Sequence, residues 1–111
     1  MNDIAAESMD YEKYNIITNI IWNNIESTEG KTWKQIFKTV TLMDFLVKNG
    51  SERFIDNCRD KMYRIRNLSD YTYYEGSVEK GSGVREKSKQ LVELLSSNEA
   101  IREEVKLLFI F

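Results

Sequence analysis

The sequence predicts an all-α domain. Apolar residues recur at helical spacing through most of its length, no proline occurs anywhere, and nearly nothing alternates with the period of a strand. Without proline, no backbone N–H is removed to force a helix break, so breaks must come from glycines and capping residues.

Ile16, Ile17, Ile20 and Ile21, extended by Trp22 and Ile25, define a first helix that ends in the turn Ser27-Thr28-Glu29-Gly30. Thr32 followed by Gln35 reads as a capping box opening the next helix. Trp33, Ile36, Phe37, Val40, Met43 and Leu46 then form an apolar stripe, and Leu42, Phe45 and Val47 make its second half apolar nearly all round. Such a helix belongs at the centre of a domain, packed on several sides. Gly50 reads as the end of that helix and Ser51 as the N-cap of the following one. Phe54, Ile55, Cys58, Met62, Ile65 and Leu68 space as a single amphipathic helix. Residues 69–83 form the one long connection, with Tyr71–Tyr74 as its only strand-like stretch. Val84, Leu91, Val92, Leu94 and Leu95 mark a further helix. Ser96 or Ser97 caps a last one carrying Ile101, Val105 and Leu108. The expected architecture is about six to seven helices joined by short turns in a solenoid or bundle.

A chain of 111 residues has room for one domain, residues 1–111, with a single core and no need of disulfides. The lone Cys58 points to a reducing, cytosolic setting, and no apolar stretch approaches the roughly 20 residues of a membrane span. A net charge of −2 argues against a general nucleic-acid binder. The charge is uneven: residues 1–30 carry −5 and the remainder +3, so a local basic face fits the acidic total.

Chemistry finds little support. Histidine is absent, which removes Ser-His-Asp and Cys-His arrangements and histidine-rich zinc sites. Cys58 sits among apolar neighbours and reads as a buried structural thiol. The run from Gly81 to Ser88 superficially matches a phosphate-binding loop, yet Glu86 stands where its second glycine should be. Tyr63 beside Arg64 and Arg66 reads as an ordinary solvated helix edge. No catalysis, cofactor or metal is expected. One constellation remains. Lys31 precedes the capped helix, and Lys34 and Lys38, four apart, share its face at an N-terminus that favours anions. Spacing alone favours a solvated lysine face over an anion site.

The segment Gly30-Lys31-Thr32-Trp33-Lys34-Gln35-Ile36-Phe37-Lys38, running on from Thr41 to Arg53, resembles the signature of the ENTH (epsin N-terminal homology) family. Val84-Arg85-Glu86-Lys87-Ser88-Lys89-Gln90-Leu91-Val92-Glu93-Leu94-Leu95 resembles a later family helix, and Ile101-Arg102-Glu103-Glu104 the motif beyond it. Asp3-Ile4-Ala5 and Ile21-Trp22 fall in family order. The resemblance implies a right-handed α-solenoid that binds phosphoinositide headgroups and serves as a non-enzymatic adaptor in clathrin-coated traffic. It implies a cytoplasmic protein, peripheral on plasma or Golgi and endosomal membranes.

Within the resemblance, Lys31 and Lys38 match headgroup lysines of the epsin branch, while Asn24 stands where that branch has arginine and Gln35 where it has histidine. The first solenoid helix and the membrane-inserting helix have no counterpart, residues 1–10 offering neither a basic nor a bulky apolar face. The family's disordered clathrin- and adaptor-binding tail is likewise not expected within these 111 residues. The turn between Trp22 and Trp33 resembles the Golgi and endosomal branch, which implies SNARE helices as cargo and an alternative role as a protein-interaction module without lipid. Loss of the first helix is expected to expose an apolar end, covered by the Leu107–Phe111 tail or by a second chain.

Overall fold

A computed structural model describes residues 11–110; the expectations for residues 1–10 and for Phe111 lie outside the described residues. Among the described residues there are six α-helices: α1 Tyr11–Glu26, α2 Trp33–Lys48, α3 Glu52–Asp60, α4 Met62–Asn67, α5 Ser82–Leu95 and α6 Asn98–Ile110. The all-α expectation holds, with one small addition. Strands β1 (Tyr74–Glu75) and β2 (Val78–Glu79) pair antiparallel, Tyr74 opposite Glu79 and Glu75 opposite Val78. Gly76, at φ +64°, takes the left-handed conformation that the first position of a two-residue hairpin loop requires.

Helix α2 is the centre, touching α1, α3, α5 and α6. Ile36, Val40, Met43 and Val47 are all fully buried along it, at the spacing that keeps one face inward. Each such side chain contributes about 1.5–3 kcal/mol relative to exposure. The apolar character of its second half is not all buried, since Phe45 is exposed and Leu42 half-buried. The same core includes Ile21 of α1, Phe54 of α3, Ile65 of α4, and Val84, Leu91 and Leu95 of α5. Trp22 stacks on Phe54 with ring centroids 6.2 Å apart. Cys58 is fully buried, and burial pushes its thiol far above its ordinary range.

Helix boundaries follow local chemistry in most places. At the start of α2, Thr32 Oγ1 accepts from the Gln35 N–H at 3.3 Å, and the Thr32 N–H donates to Gln35 Oε1 at 2.8 Å. Its end is a Schellman turn: Asn49 is the cap, Gly50 follows at φ +78°, and the Gly50 and Ser51 N–H groups donate to Val47 and Leu46 carbonyls. Ser97, not Ser96, caps α6, its Oγ accepting from the Ala100 N–H at 3.1 Å.

Two expectations need correction. Ser51 makes no side-chain cap bond. The helix expected from Phe54 to Leu68 is broken at Lys61, whose backbone leaves helical geometry at φ −112°, ψ 27°. There the Lys61 ammonium meets Glu26 at 3.8 Å and lies 5.0 Å from the Trp22 ring centroid, so tertiary contacts to α1 hold the break. Leu68 then sits in a 3-10 turn, Leu68–Asp70. At the expected apolar end, Ile16 and Ile20 of α1 are indeed more than half exposed. Leu107 and Leu108 of the expected covering tail are themselves nearly half exposed, and the remainder of that expectation, residues 109–111, lies outside the described side chains.

Candidate functional site

The basic edge is built where α1 hands over to α2. Asn24, on the last turn of α1, donates through Nδ2 to Thr39 Oγ1 at 3.1 Å, and Thr39 Oγ1 donates to the Gln35 carbonyl at 2.8 Å. This short relay fixes the two helices against each other beside the lysines. Its consequence is that Asn24 acts as a helix-to-helix tie. Gln35 is similarly committed, its Oε1 closing the capping box. Because Gln35 N is already bonded, the N–H groups of Trp33 and Lys34 remain the open donors of the first turn.

The lysines are disposed differently from one another. Lys31 bends back so that Nζ donates to the Ser27 carbonyl, placing its charge at the end of α1 where a cation is favoured. Lys34 and Lys38 are exposed, one turn apart on the same face of α2, and Lys34 Nζ lies 5.8 Å from the Trp33 ring centroid. Of the residues singled out in the sequence, the bonds join Asn24 through Thr39 to Gln35, helix spacing puts Lys34 and Lys38 on one face, and Asn24, Gln35 and Lys31 each have structural duties.

Sequence reasoning missed Lys80. It follows β2, far from α2 along the chain, yet its Nζ lies 6.0 Å from the same Trp33 ring. No local signal marks this approach, which depends on how the connection folds. There the Glu79 carboxylate accepts from the Tyr73 N–H at 3.0 Å and the Gly81 N–H at 2.6 Å, and meets Arg85 at 2.8 Å. Arg85 also donates to the Tyr71 carbonyl at 2.9 Å. The hydrogen bond from Arg85, with the backbone donors, draws the Glu79 carboxyl down to about 2.

The glycines of the apparent phosphate loop serve this packing. A Cβ on Gly81 would lie 2.6 Å from Glu79 Oε2 and 2.9 Å from the Tyr71 carbonyl oxygen, and one on Gly83 would lie 3.2 Å from the Phe37 ring.

Elsewhere, a groove of about 720 Å³ runs between α3 and α6. Its floor is Ile55, Ile101 and Val105, with Glu52 and Asp56 from α3 and Arg102 and Lys106 from α6 in its lining. Among the described residues no helix is long and apolar enough to cross a membrane.

The described residues thus form an all-α fold with Lys34 and Lys38 exposed at the entry of its central helix. The sequence model of the ENTH domain matches residues 1–101. The chain is 40% identical over 102 residues to the clathrin interactor EPSIN 2 of Arabidopsis thaliana, covering 91% of this chain and 11% of that protein. It is 37% identical over 105 residues to Epsin-1 of Homo sapiens, covering 94% of this chain and 18% of that protein. The human epsinR ENTH domain superposes with a TM-score of 0.85 at 31% identity, covering 96% of this chain and 79% of that one. The ENTH domain from epsin-2, solved in complex with phosphatidylinositol 4,5-bisphosphate, gives 0.85 at 32% identity, covering 96% and 75%. The chain belongs to the ENTH domain family. It spans only 11 to 18% of the length of these curated relatives.

Proposed function

We propose that the chain is the phosphoinositide-binding unit of a membrane adaptor in clathrin-mediated traffic, acting without catalysis. The observation that carries this reading is the pair Lys34 and Lys38, exposed together beside the open N–H groups of the α2 N-terminus. A neighbour of the same fold, the epsin-2 ENTH domain, was solved with a phosphoinositide. Lys31, in the turn before α2, adds a charge held against the Ser27 carbonyl at the end of α1. Near an anionic membrane each lysine is worth about 1 kcal/mol, so three supply roughly a hundred-fold in partition. The net charge of −2 opposes this weakly, because distant charges are screened beyond about 8 Å at physiological salt. The local edge wins.

On this reading the protein is cytoplasmic and peripheral on plasma or Golgi and endosomal membranes. Its clathrin-coat partners bind through segments beyond this chain. Co-sedimentation with phosphatidylcholine vesicles, with and without phosphatidylinositol 4,5-bisphosphate, tests it. Pelleting that requires the phosphoinositide supports the role; equal pelleting in both removes it.

A second reading, a module that binds a SNARE or other helical partner without lipid, draws on the α3–α6 groove. Its apolar floor lies between acidic residues of α3 and basic residues of α6, a pattern that an amphipathic helix can complement. Capture of a SNARE helix by a chain that ignores phosphoinositide vesicles is the result that selects it. Self-association through Ile16 and Ile20 belongs to the same proposal, and sedimentation velocity of an Ile16→Ser/Ile20→Ser variant reads it.

A further inference from the structure

We propose that Lys80 is a fourth ammonium of the membrane-contacting edge, so that the chain meets an anionic phospholipid surface through α2 and the hairpin connection together. The proposal rests on the lipid-binding reading above and extends the contact to an element that reading does not use.

Three observations carry it. First, the backbone around Lys80 is pinned. Its own N–H donates to the Tyr73 carbonyl at 2.7 Å, one step past the β1–β2 ladder. On either side the Glu79 carboxylate holds Tyr73 and Gly81, and Arg85 holds Glu79 and Tyr71. The direction in which Lys80 leaves the chain is therefore set by the fold.

Second, the Lys80 and Lys34 ammonium groups both lie within 6.0 Å of the Trp33 ring centroid. Two like charges are thus gathered on one indole from elements far apart in sequence. The ring face offsets part of their repulsion, as aromatic faces do for cations. The remainder is relieved when anions approach.

Third, the cluster is left without acid. Among the described residues Lys34, Lys38 and Lys80 make no ion pair. By contrast Lys48, Lys61, Arg64, Arg85 and Lys87 are each joined to a carboxylate. The fold neutralises cations where it packs helices together. Among the described residues Arg66, Lys89 and Arg102 are likewise without an ion pair, but only Lys34 and Lys80 are gathered on one ring, with Lys38 one turn along from Lys34. A set of charges spread over two elements, with Lys34 and Lys38 exposed and Lys80 half-buried beside them, suits a plane of headgroups better than one enclosed ion.

The test is partition onto vesicles of phosphatidylcholine alone, with phosphatidylserine, and with phosphatidylinositol 4,5-bisphosphate, at physiological salt. Lys80→Ala should lower partition onto both anionic vesicles by about five-fold, and Lys80→Arg should restore it. Lys89→Ala, an exposed lysine of α5, should behave as the parent chain, and circular dichroism confirms that each variant is folded. Lys80→Ala binding like the parent, while Lys34→Ala/Lys38→Ala binds less, overturns the role of Lys80 and leaves the lipid reading standing. If the double variant also binds like the parent, or the parent ignores both anionic vesicles, the lipid reading fails and Lys80 falls with it.

Discussion

The Asn24 amide and the Thr39 hydroxyl meet at 3.1 Å, and this bond ties the last turn of α1 to the middle of α2, one residue on from Lys38. It replaces charge with a neutral tie at a position where the resemblance to the epsin branch implies arginine. Asn24→Arg should therefore strengthen binding to phosphatidylinositol 4,5-bisphosphate vesicles by about five-fold. Losing the tie should cost about 1 kcal/mol of stability. Vesicle partition and thermal melting read the two effects separately. Unchanged partition with a lowered Tm would show that position 24 does not face the headgroup.

The Glu79 latch has a defined pH range. Its folded carboxyl sits at about 2, below the ordinary glutamate value of about 4.3. A group lowered in the folded state stabilises fully above its unfolded pKa, and that contribution fades as pH falls through the folded value. Amide exchange at Tyr73 and Gly81, both of which donate to Glu79, should stay protected through pH 4 and open only on approach to pH 2. Glu79→Gln should weaken that protection at neutral pH. Protection lost near pH 4 in the parent chain would contradict the latch.

Gly81→Ala should destabilise the domain by about 1–3 kcal/mol. The new methyl would press on Glu79, the Tyr71 carbonyl and Arg85, of which the carbonyl is backbone and cannot swing away. Gly76→Ala meets open space and loses only the glycine preference for positive φ, about 1–2 kcal/mol. Chemical denaturation compares them, and only the Gly81 variant should also weaken the contribution of Lys80 to vesicle binding.

Cys58 should resist alkylation in the native state and react once the chain is unfolded. It is fully buried, and burial disfavours the thiolate that would react. Labelling with a maleimide, followed by mass spectrometry with and without denaturant, measures this. Rapid native labelling would mean that α3 opens readily.

What the sequence disclosed was what local chemistry determines. The Thr32–Gln35 capping box, the glycine after α2 and the inward stripe of α2 are short-range patterns, and each appears in the fold. The break at Lys61 carries no glycine or proline; it is held by Glu26 and Trp22 from another helix, which no local window contains. The hairpin is likewise a product of the Glu79 and Arg85 contacts more than of strand propensity. The same division runs through the site. Lys34 and Lys38 were legible because a helix places residues four apart on one face. The duties of Asn24 and Gln35, and the approach of Lys80 to Trp33, arise only when separate elements meet.

The central claim is that an anionic headgroup docks at the entry of α2. Backbone amide NMR shifts, recorded as inositol 1,4,5-trisphosphate is added to the chain, test it most directly. The account predicts that the largest shifts fall on the amides of Trp33 and Lys34, the open donors of the first turn, with Lys38 next. Shifts centred instead on Glu52, Asp56, Arg102 and Lys106 in the α3–α6 groove, or no saturable shifts at all, would contradict it.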